Sequence, residues 1–317
     1  MGNIMKTPLI VIVGPTASGK TALSIELAKI FNGEIVSADS MQIYKGMNIA
    51  TAKPTVEEMQ GIPHHLISII DSGESFSVAN YVLLAKERIK EICSRGKVPI
   101  IVGGTGLYIN SLIDNIKFDD TASDSHIRER LLNEAKEKGN KYLLDKLYEI
   151  DPETADQLHE NNLTRIIRAI EVFELTGEKI STQKVKSRME ESPYNPCIIG
   201  LDYKDRQKLY DRINLRVDKM VENGLVEEAQ GVYKNVNLCT ACQAIGYKEL
   251  LPYFKGEDTL EHCLDILKQQ TRRYAKRQLT WFRRDERINW IYVDEHNFLD
   301  EKIIKTAVKI IELSPIL

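Results

Sequence analysis

Hydrophobic and polar positions fall into two textures along the chain. In the first, brief apolar runs alternate with segments whose apolar residues recur at helical spacing. Leu9–Val13, Glu34–Ala38, Leu66–Ile70 and Val98–Val102 read as strands, the uniformly apolar Val98–Val102 as a central parallel one. Between the first two, Leu23, Leu27, Ile30 and Phe31 recur at i, i+4, i+7 and i+8, which predicts one face of a helix. Ala79–Ser94 has similar spacing and stops before Gly96, and Leu107, Tyr108 and Leu112 mark a further helix. Alternating strands and helices predict a parallel sheet covered by helices.

The second texture is charge-rich and helix-patterned. Helices are predicted at Ser125–Lys138, Tyr142–Glu149 and Asn162–Leu175, the last closed by Gly177. The simplest reading is an all-helical insertion at 119–196 between α/β segments 1–118 and 197–317. Lids over bound substrates are often built this way. The first texture returns with a strand at Cys197–Leu201, a long helix ending near Gly224, a strand at Ile288–Val293 and a closing helix at Ile303–Leu313. The fold class is α/β: a parallel sheet core with an inserted all-helical domain, P-loop NTPase-like because Gly14–Thr21, after the first strand, fits G-x-x-x-x-G-K-[ST].

Candidate chemistry sits at the predicted strand ends. Gly14-Pro15-Thr16-Ala17-Ser18-Gly19-Lys20-Thr21 fits G-x-x-x-x-G-K-[ST] between a strand and a helix. Backbone N–H groups of such a loop and the helix N-terminus hold phosphate oxygens. Lys20 adds a point charge, and the Thr21 hydroxyl can ligate Mg²⁺. Asp39-Ser40-Met41-Gln42 follows the second strand, where ligands bind in open α/β sheets. A helix cap or turn is the competing reading for Asp39. The Val98–Val102 strand runs into Gly103-Gly104-Thr105-Gly106, without the acidic residue with which a motor ATPase ends such a strand. That disfavours energy-coupled hydrolysis and favours group transfer. His64-His65 lacks metal-ligand spacing and reads as structural.

Composition narrows the remaining choices. The chain has 317 residues, 43% hydrophobic and 28% charged, with net charge −3, as in a soluble globular protein. No apolar run is long enough to span a membrane, and the first strand begins too early for a signal peptide. Five cysteines are too few for a disulfide scaffold, and the lone Cys239-Thr240-Ala241-Cys242 pair suggests neither zinc nor redox use. A cytoplasmic monomer is expected. Nucleic-acid contact requires a local patch, and Thr271–Arg284 supplies one with six basic residues, three aromatics and no acid. A cationic helix facing an acidic neighbour is the alternative.

The phosphate loop, Asp39-Ser40-Met41-Gln42-Ile43-Tyr44, Gly46-Met47, Thr51-Ala52-Lys53-Pro54, Gly103–Tyr108, Ala244-Ile245-Gly246-Tyr247 and the Arg-rich segment ending in Trp281 occur in one order. In that order they resemble the tRNA dimethylallyltransferase (tRNA isopentenyltransferase) family over residues 9 to 293. No zinc-finger motif follows, so the resemblance is to the bacterial form. It implies that dimethylallyl diphosphate donates its five-carbon group to N6 of the adenine just 3′ of the anticodon in a tRNA anticodon stem-loop, releasing diphosphate. The loop residues Gly14 through Thr21 would hold the diphosphate, with Lys20 neutralising charge and Thr21 helping to bind Mg²⁺. Arg216, or Arg212 on the same helix face, would reach the diphosphate; their spacing does not decide between them. Asp39 matches the general base, Thr105 a residue contacting the target base or its neighbours, and Ser40, Met41 and Gln42 a base-gripping stretch. The resemblance implies tRNA contacts at Arg128, Thr164, Arg165, Ile166, Ile167 and Arg168, and at Gln243, Gly246 and Lys248. The basic segment adds Arg272, Arg273, Lys276 and Arg277. A prenyltransferase for free AMP, a small-molecule kinase and a non-catalytic RNA-binding module remain the rivals.

Overall fold

The computed structural model of the protein describes residues 6–118, 124–235, 244–295 and 301–315. These residues fall into two compact units, divided between 113 and 114 and between 191 and 192. The limits of the second are displaced by a few residues from 119–196, because the returning strand already begins at Tyr194.

The larger unit is built on six parallel strands: β1 (Thr7–Val13), β2 (Gly33–Ser37), β3 (His64–His65), β4 (Val98–Gly103), β5 (Tyr194–Asp202) and β6 (Ile288–Tyr292). Their order is β3-β2-β4-β1-β5-β6. Leu9 through Val13 of β1 are fully buried, as required of a strand covered on both faces. In register, Val13 lies beside Gly103 on one side and Gly200 on the other. The loops leaving β2, β4 and β1 therefore emerge side by side at one sheet edge.

Helix α1 (Lys20–Ile30) follows β1, and α2 (Val56–Met59) lies between β2 and β3. Helices α3 (Val78–Ser94) and α4 (Gly106–Ile113) flank β4. After the helical unit come α10 (Arg206–Glu222), α11 (Leu225–Asn235), α12 (Leu251–Phe254), α13 (Leu260–Phe282) and α14 (Glu301–Leu313). One core cluster joins Leu23 and Leu27 of α1 to Leu209 and Ile213 of α10, Ala275 and Leu279 of α13, and Ile303 and Ile311 of α14. A second gathers Ile43, Tyr44 and Met47 against Leu225, Ala229, Tyr247, Leu250 and Leu267.

Two expectations change. Ile30 is half exposed; the buried positions of α1 are instead Leu23, Ser24, Ile25, Leu27 and Ala28, because the core extends around the helix to α14. Leu66–Ile70 is not a strand. Leu66 and Ser68 have φ of 61° and 53°, a left-handed backbone that cannot continue a β ladder. The segment instead follows the loop after β2, with Ser68 N–H donating to Gln42 O and Ile69 N–H to Ile43 O.

The smaller unit is helical: α5 (Ser125–Lys138), α6 (Asn140–Ile150), α7 (Pro152–Asp156), α8 (Leu163–Thr176) and α9 (Ile180–Lys186). Leu131, Leu143, Leu147, Ile166 and Ile170 are its fully buried centre. Asp151 knits it together, accepting from Thr154 N–H and Thr154 Oγ1 at the start of α7 and from Ser181 N–H in α9.

Candidate active site

The phosphate loop fills the turn from β1 to α1. Ala17 and Gly19 have φ of 63° and 93°, and Gly19 leaves the first amides of α1 uncapped by any side chain. Uncapped amides at a helix N-terminus favour an anion. Lys20 folds back over the loop, its Nζ donating to Gly14 O at 3.0 Å and Pro15 O at 2.6 Å. Burial, with the charge of nearby Arg216, brings the Lys20 ammonium down to about 7; Asp39 opposes that shift. Arg216 is itself disfavoured as a cation by burial and faces Asp39 and Glu58. No described residue hydrogen-bonds or ion-pairs with its guanidinium. Arg212, one turn earlier, donates its Nε–H to Ala17 O at 3.2 Å and lies against Tyr203. Two crowded cations beside uncapped amides form a site for a polyanion.

The ends of β2 and β4 form the other wall. Asp39 Oδ1 accepts from Met41 N–H at 2.8 Å and from Gln42 N–H at 3.2 Å. The turn reading of Asp39 is thus correct for one carboxylate oxygen, while Oδ2 has no described partner. Thr105 accepts at Oγ1 from Ser40 N–H (3.1 Å) and donates its own N–H to Ala38 O (3.2 Å). Gly103 permits this approach, since a Cβ there would fall 2.2 Å from Ala38 O. Asp39 and Thr105 are therefore held on adjoining strand ends beside the loop that leads to Lys20, as the register requires, and Arg216 reaches Lys20 and Asp39 electrostatically from α10.

Other expected contacts are redistributed. The Gln42 amide is engaged within the protein: its Nε2 donates to Thr51 O and Ala52 O, and its Oε1 accepts from Ser37 Oγ. Gln42 therefore orders the loop instead of offering its amide to a base. Gly246 is buried against Ala50, with its N–H donated to Glu249, while Lys248 is exposed. Gln243, Cys239 and Cys242 lie outside the described residues.

In the helical unit, Thr164 and Arg165 are exposed, but the side chains of Ile166 and Ile167 are buried in the core and do not face RNA. Arg128 grips the fully buried Glu171 through Nε–Oε1 (2.8 Å) and Nη2–Oε2 (3.1 Å), and Arg168 reaches the same carboxylate at 2.7 Å. Both arginines thus have a structural partner, although their guanidiniums remain partly exposed.

The basic segment is the second half of α13. Arg273, Lys276, Arg277 and Arg284 are exposed, whereas Arg272 donates to Asn214 and Arg283 to the buried Asp202. Sequence reasoning missed Glu228 and Gln278, and it quoted Lys53 within a motif without giving it a role. Glu228 on α11 accepts from Asn48, Ile49 and Ala50 N–H and from the Tyr247 hydroxyl, clamping the loop after β2. Lys53 donates to Tyr44 O and Ser68 Oγ and is lowered to about 8 by burial. Gln278 is buried against the phosphate loop. Its one signal is helical spacing, three residues after Ala275 and four before Phe282.

A parallel sheet whose first strand delivers a phosphate loop, with an acid and a hydroxyl on neighbouring strand ends, defines a group transferase of P-loop NTPase-like architecture. The sequence profile described as IPP transferase matches residues 42–285, and the chain belongs to that family. It is 54% identical over 301 residues to a tRNA dimethylallyltransferase of Acetivibrio thermocellus, covering 94% of this chain and 95% of the relative. The solved full-length tRNA isopentenylpyrophosphate transferase of Bacillus halodurans is 47% identical, with TM-score 0.71 and 97% of each chain covered. A eukaryotic dimethylallyltransferase solved acting on tRNA is 30% identical, with TM-score 0.80, covering 98% of this chain and 80% of the other.

Proposed function

We propose that this chain transfers the dimethylallyl group of dimethylallyl diphosphate to N6 of the adenosine 3′-adjacent to the anticodon of tRNA. The observation that carries this reading is the pair of buried cations, Lys20 and Arg216, near Asp39 and the uncapped N-terminus of α1. In the transfer, adenine N6 forms a bond to C1 of the allyl group while the C1–O bond breaks, and its electron pair leaves with the diphosphate. Lys20, Arg216 and the amides of α1 receive that developing charge. Arg212 is already engaged with Ala17 O, so Arg216 is the better candidate for the diphosphate.

The N6 lone pair is delocalised into the adenine ring, so the amine needs help losing its proton. Asp39 Oδ2 accepts it while Oδ1 stays in the turn. Thr105 and Ser40 hold the target base beside that carboxylate, once it has left its stack at a cost of about a few kcal/mol.

The donor set fits Mg²⁺ brought in on the diphosphate and is too sparse for an all-protein cage. The Thr21 hydroxyl has no described partner, and the buried Ser18 hydroxyl is also unpartnered, so oxygen donors are available at the loop. Bound there, Mg²⁺ would supply charge neutralisation of the leaving group.

Arg273, Lys276, Arg277 and Arg284 suit the phosphates of the stem-loop, with Thr164, Arg165, Arg128, Arg168 and Lys248 as further contacts. A monomer working on tRNA in the cytoplasm is part of this proposal. No helix among the described residues is long and apolar enough to cross a membrane.

The test is incubation with labelled dimethylallyl diphosphate and either AMP or an anticodon stem-loop. Label on the stem-loop adenine is the expected result; label on AMP alone would overturn this reading in favour of a free-nucleotide prenyltransferase.

A further inference from the structure

Gln278 lies on α13, is 5% exposed, and connects segments far apart in sequence. Its Oε1 accepts from Thr16 N–H in the phosphate loop at 2.8 Å, and its Nε2 donates to Gly104 O at the end of β4 at 3.0 Å. The fit leaves no slack, because a Cβ on Gly104 would fall 2.0 Å from Nε2. The Tyr274 hydroxyl, one turn before, faces the side chains of Thr105 and Gln278. One turn after, Trp281 packs over Gly106 and donates from Nε1 to Asn110 at 3.1 Å. One stripe of α13 thus touches the phosphate loop and the whole Gly104-Thr105-Gly106 turn.

We infer that Gln278 is a positioning residue for the transfer step, a crossbrace that fixes the loop holding the leaving group relative to the turn holding the nucleophile. The physical reason is geometric. By accepting from Thr16 N–H it fixes the peptide of the phosphate loop that leads to the uncapped amides of α1. By donating to Gly104 O it orients the peptide that carries Thr105, whose Oγ1 and N–H in turn fix Ser40 and Ala38 on either side of Asp39. Both hydrogen bonds come from one buried amide, so displacing either loop displaces the other. The same helix presents Arg273, Lys276 and Arg277 to solvent, so a nucleic acid docked on those cations bears on the element that braces the two loops. This inference rests on the prenyl-transfer reading above.

The test compares Gln278→Leu, Gln278→Glu and Tyr274→Phe in the full chain with dimethylallyl diphosphate and an anticodon stem-loop. Turnover, stem-loop affinity and thermal midpoint are measured for each. A misplacement of about 1 Å in a transfer site can cost roughly 100-fold. Gln278→Leu is therefore expected to lower kcat ~10- to 100-fold with stem-loop Kd changed less than twofold. Gln278→Glu keeps the acceptor for Thr16 N–H and should recover part of that loss. Tyr274→Phe, which removes only a hydroxyl, keeps the fold in view should the Gln278 variants be unstable; its kcat should fall several-fold with an unchanged thermal midpoint. Unchanged kcat in a folded Gln278→Leu or in Tyr274→Phe overturns the inference. So does a loss of kcat that only tracks loss of stem-loop affinity and stability. If the wild-type chain itself transfers no prenyl group, it is the underlying reading that fails.

Discussion

Asp39 divides its two oxygens between structure and chemistry. Because Oδ1 holds the turn through Met41 and Gln42 N–H, Asp39→Asn can keep that turn while losing the base. The expected outcome is a fall in kcat of roughly 10²- to 10⁴-fold, with stem-loop affinity and thermal midpoint retained. Undiminished turnover in this variant would remove Asp39 from its role. Lys20 gives a prediction in pH. Its folded-state value of about 7 lies below its ordinary 10.5, and an anion bound in the loop favours the charged form. Diphosphate binding therefore takes up a proton above pH 7, and affinity declines as pH rises from there. Calorimetry in buffers of different ionisation heat should show that uptake for the wild type and its loss in Lys20→Arg, which stays charged. The stability sign is the reverse. Between 7 and 10.5 the unfolded chain binds more protons at this site, so Lys20 makes folding more favourable as pH rises through that window.

At the level of elements, two buried carboxylates test how sheet and insertion are held. Burial works against ionised Glu34 at the start of β2. Hydrogen bonds from Arg95, His65 and Lys97 outweigh it and bring the carboxyl down to about 2. Its contribution is present above the ordinary 4.5 and is lost as pH falls from 4.5 towards 2. Glu34→Gln should flatten that acid limb in urea denaturation across pH, and an unchanged limb would show that the cluster is not coupled to folding. In the helical unit, Glu171→Ala strands Arg128 and Arg168. A destabilisation of about 2–3 kcal/mol is expected from chemical denaturation, at or below the low end for a broken buried pair because both arginines remain partly exposed. Elements with strong periodicity were legible in the sequence, including β1, its loop, β4 and α5. Leu66–Ile70 was not, because the same apolar composition serves a strand or a chain kinked at Leu66 and Ser68. Ile166 and Ile167 show the converse error: a motif match carries whole segments, whereas a helix points adjacent residues in different directions, here into the core.

For the whole molecule, a net charge of −3 coexists with a cationic stripe on α13. Replacing Arg273, Lys276 and Arg277 together by Gln should weaken stem-loop binding and reduce the log Kd against log salt slope by about 2 to 3, roughly one per lost phosphate contact. An unchanged slope would mean that RNA binds elsewhere. What the sequence could not reveal at this scale is the bracing between distant segments. Gln278 reads as one polar residue in a basic run until its partners, 262 and 174 positions away, are brought to it. Glu228 is equally silent until the three amides of Asn48, Ile49 and Ala50 close around it.

The central claim is that the phosphate loop holds a leaving group and that no phosphoryl group is transferred. Its most direct test follows both products of one reaction of the chain with dimethylallyl diphosphate, Mg²⁺ and an anticodon stem-loop. Nucleoside mass spectrometry locates the modification while released diphosphate is counted. The predicted result is one diphosphate for each N6-dimethylallyladenosine, located 3′-adjacent to the anticodon. Phosphate gained by the RNA, or diphosphate released without a modified adenosine, would contradict it.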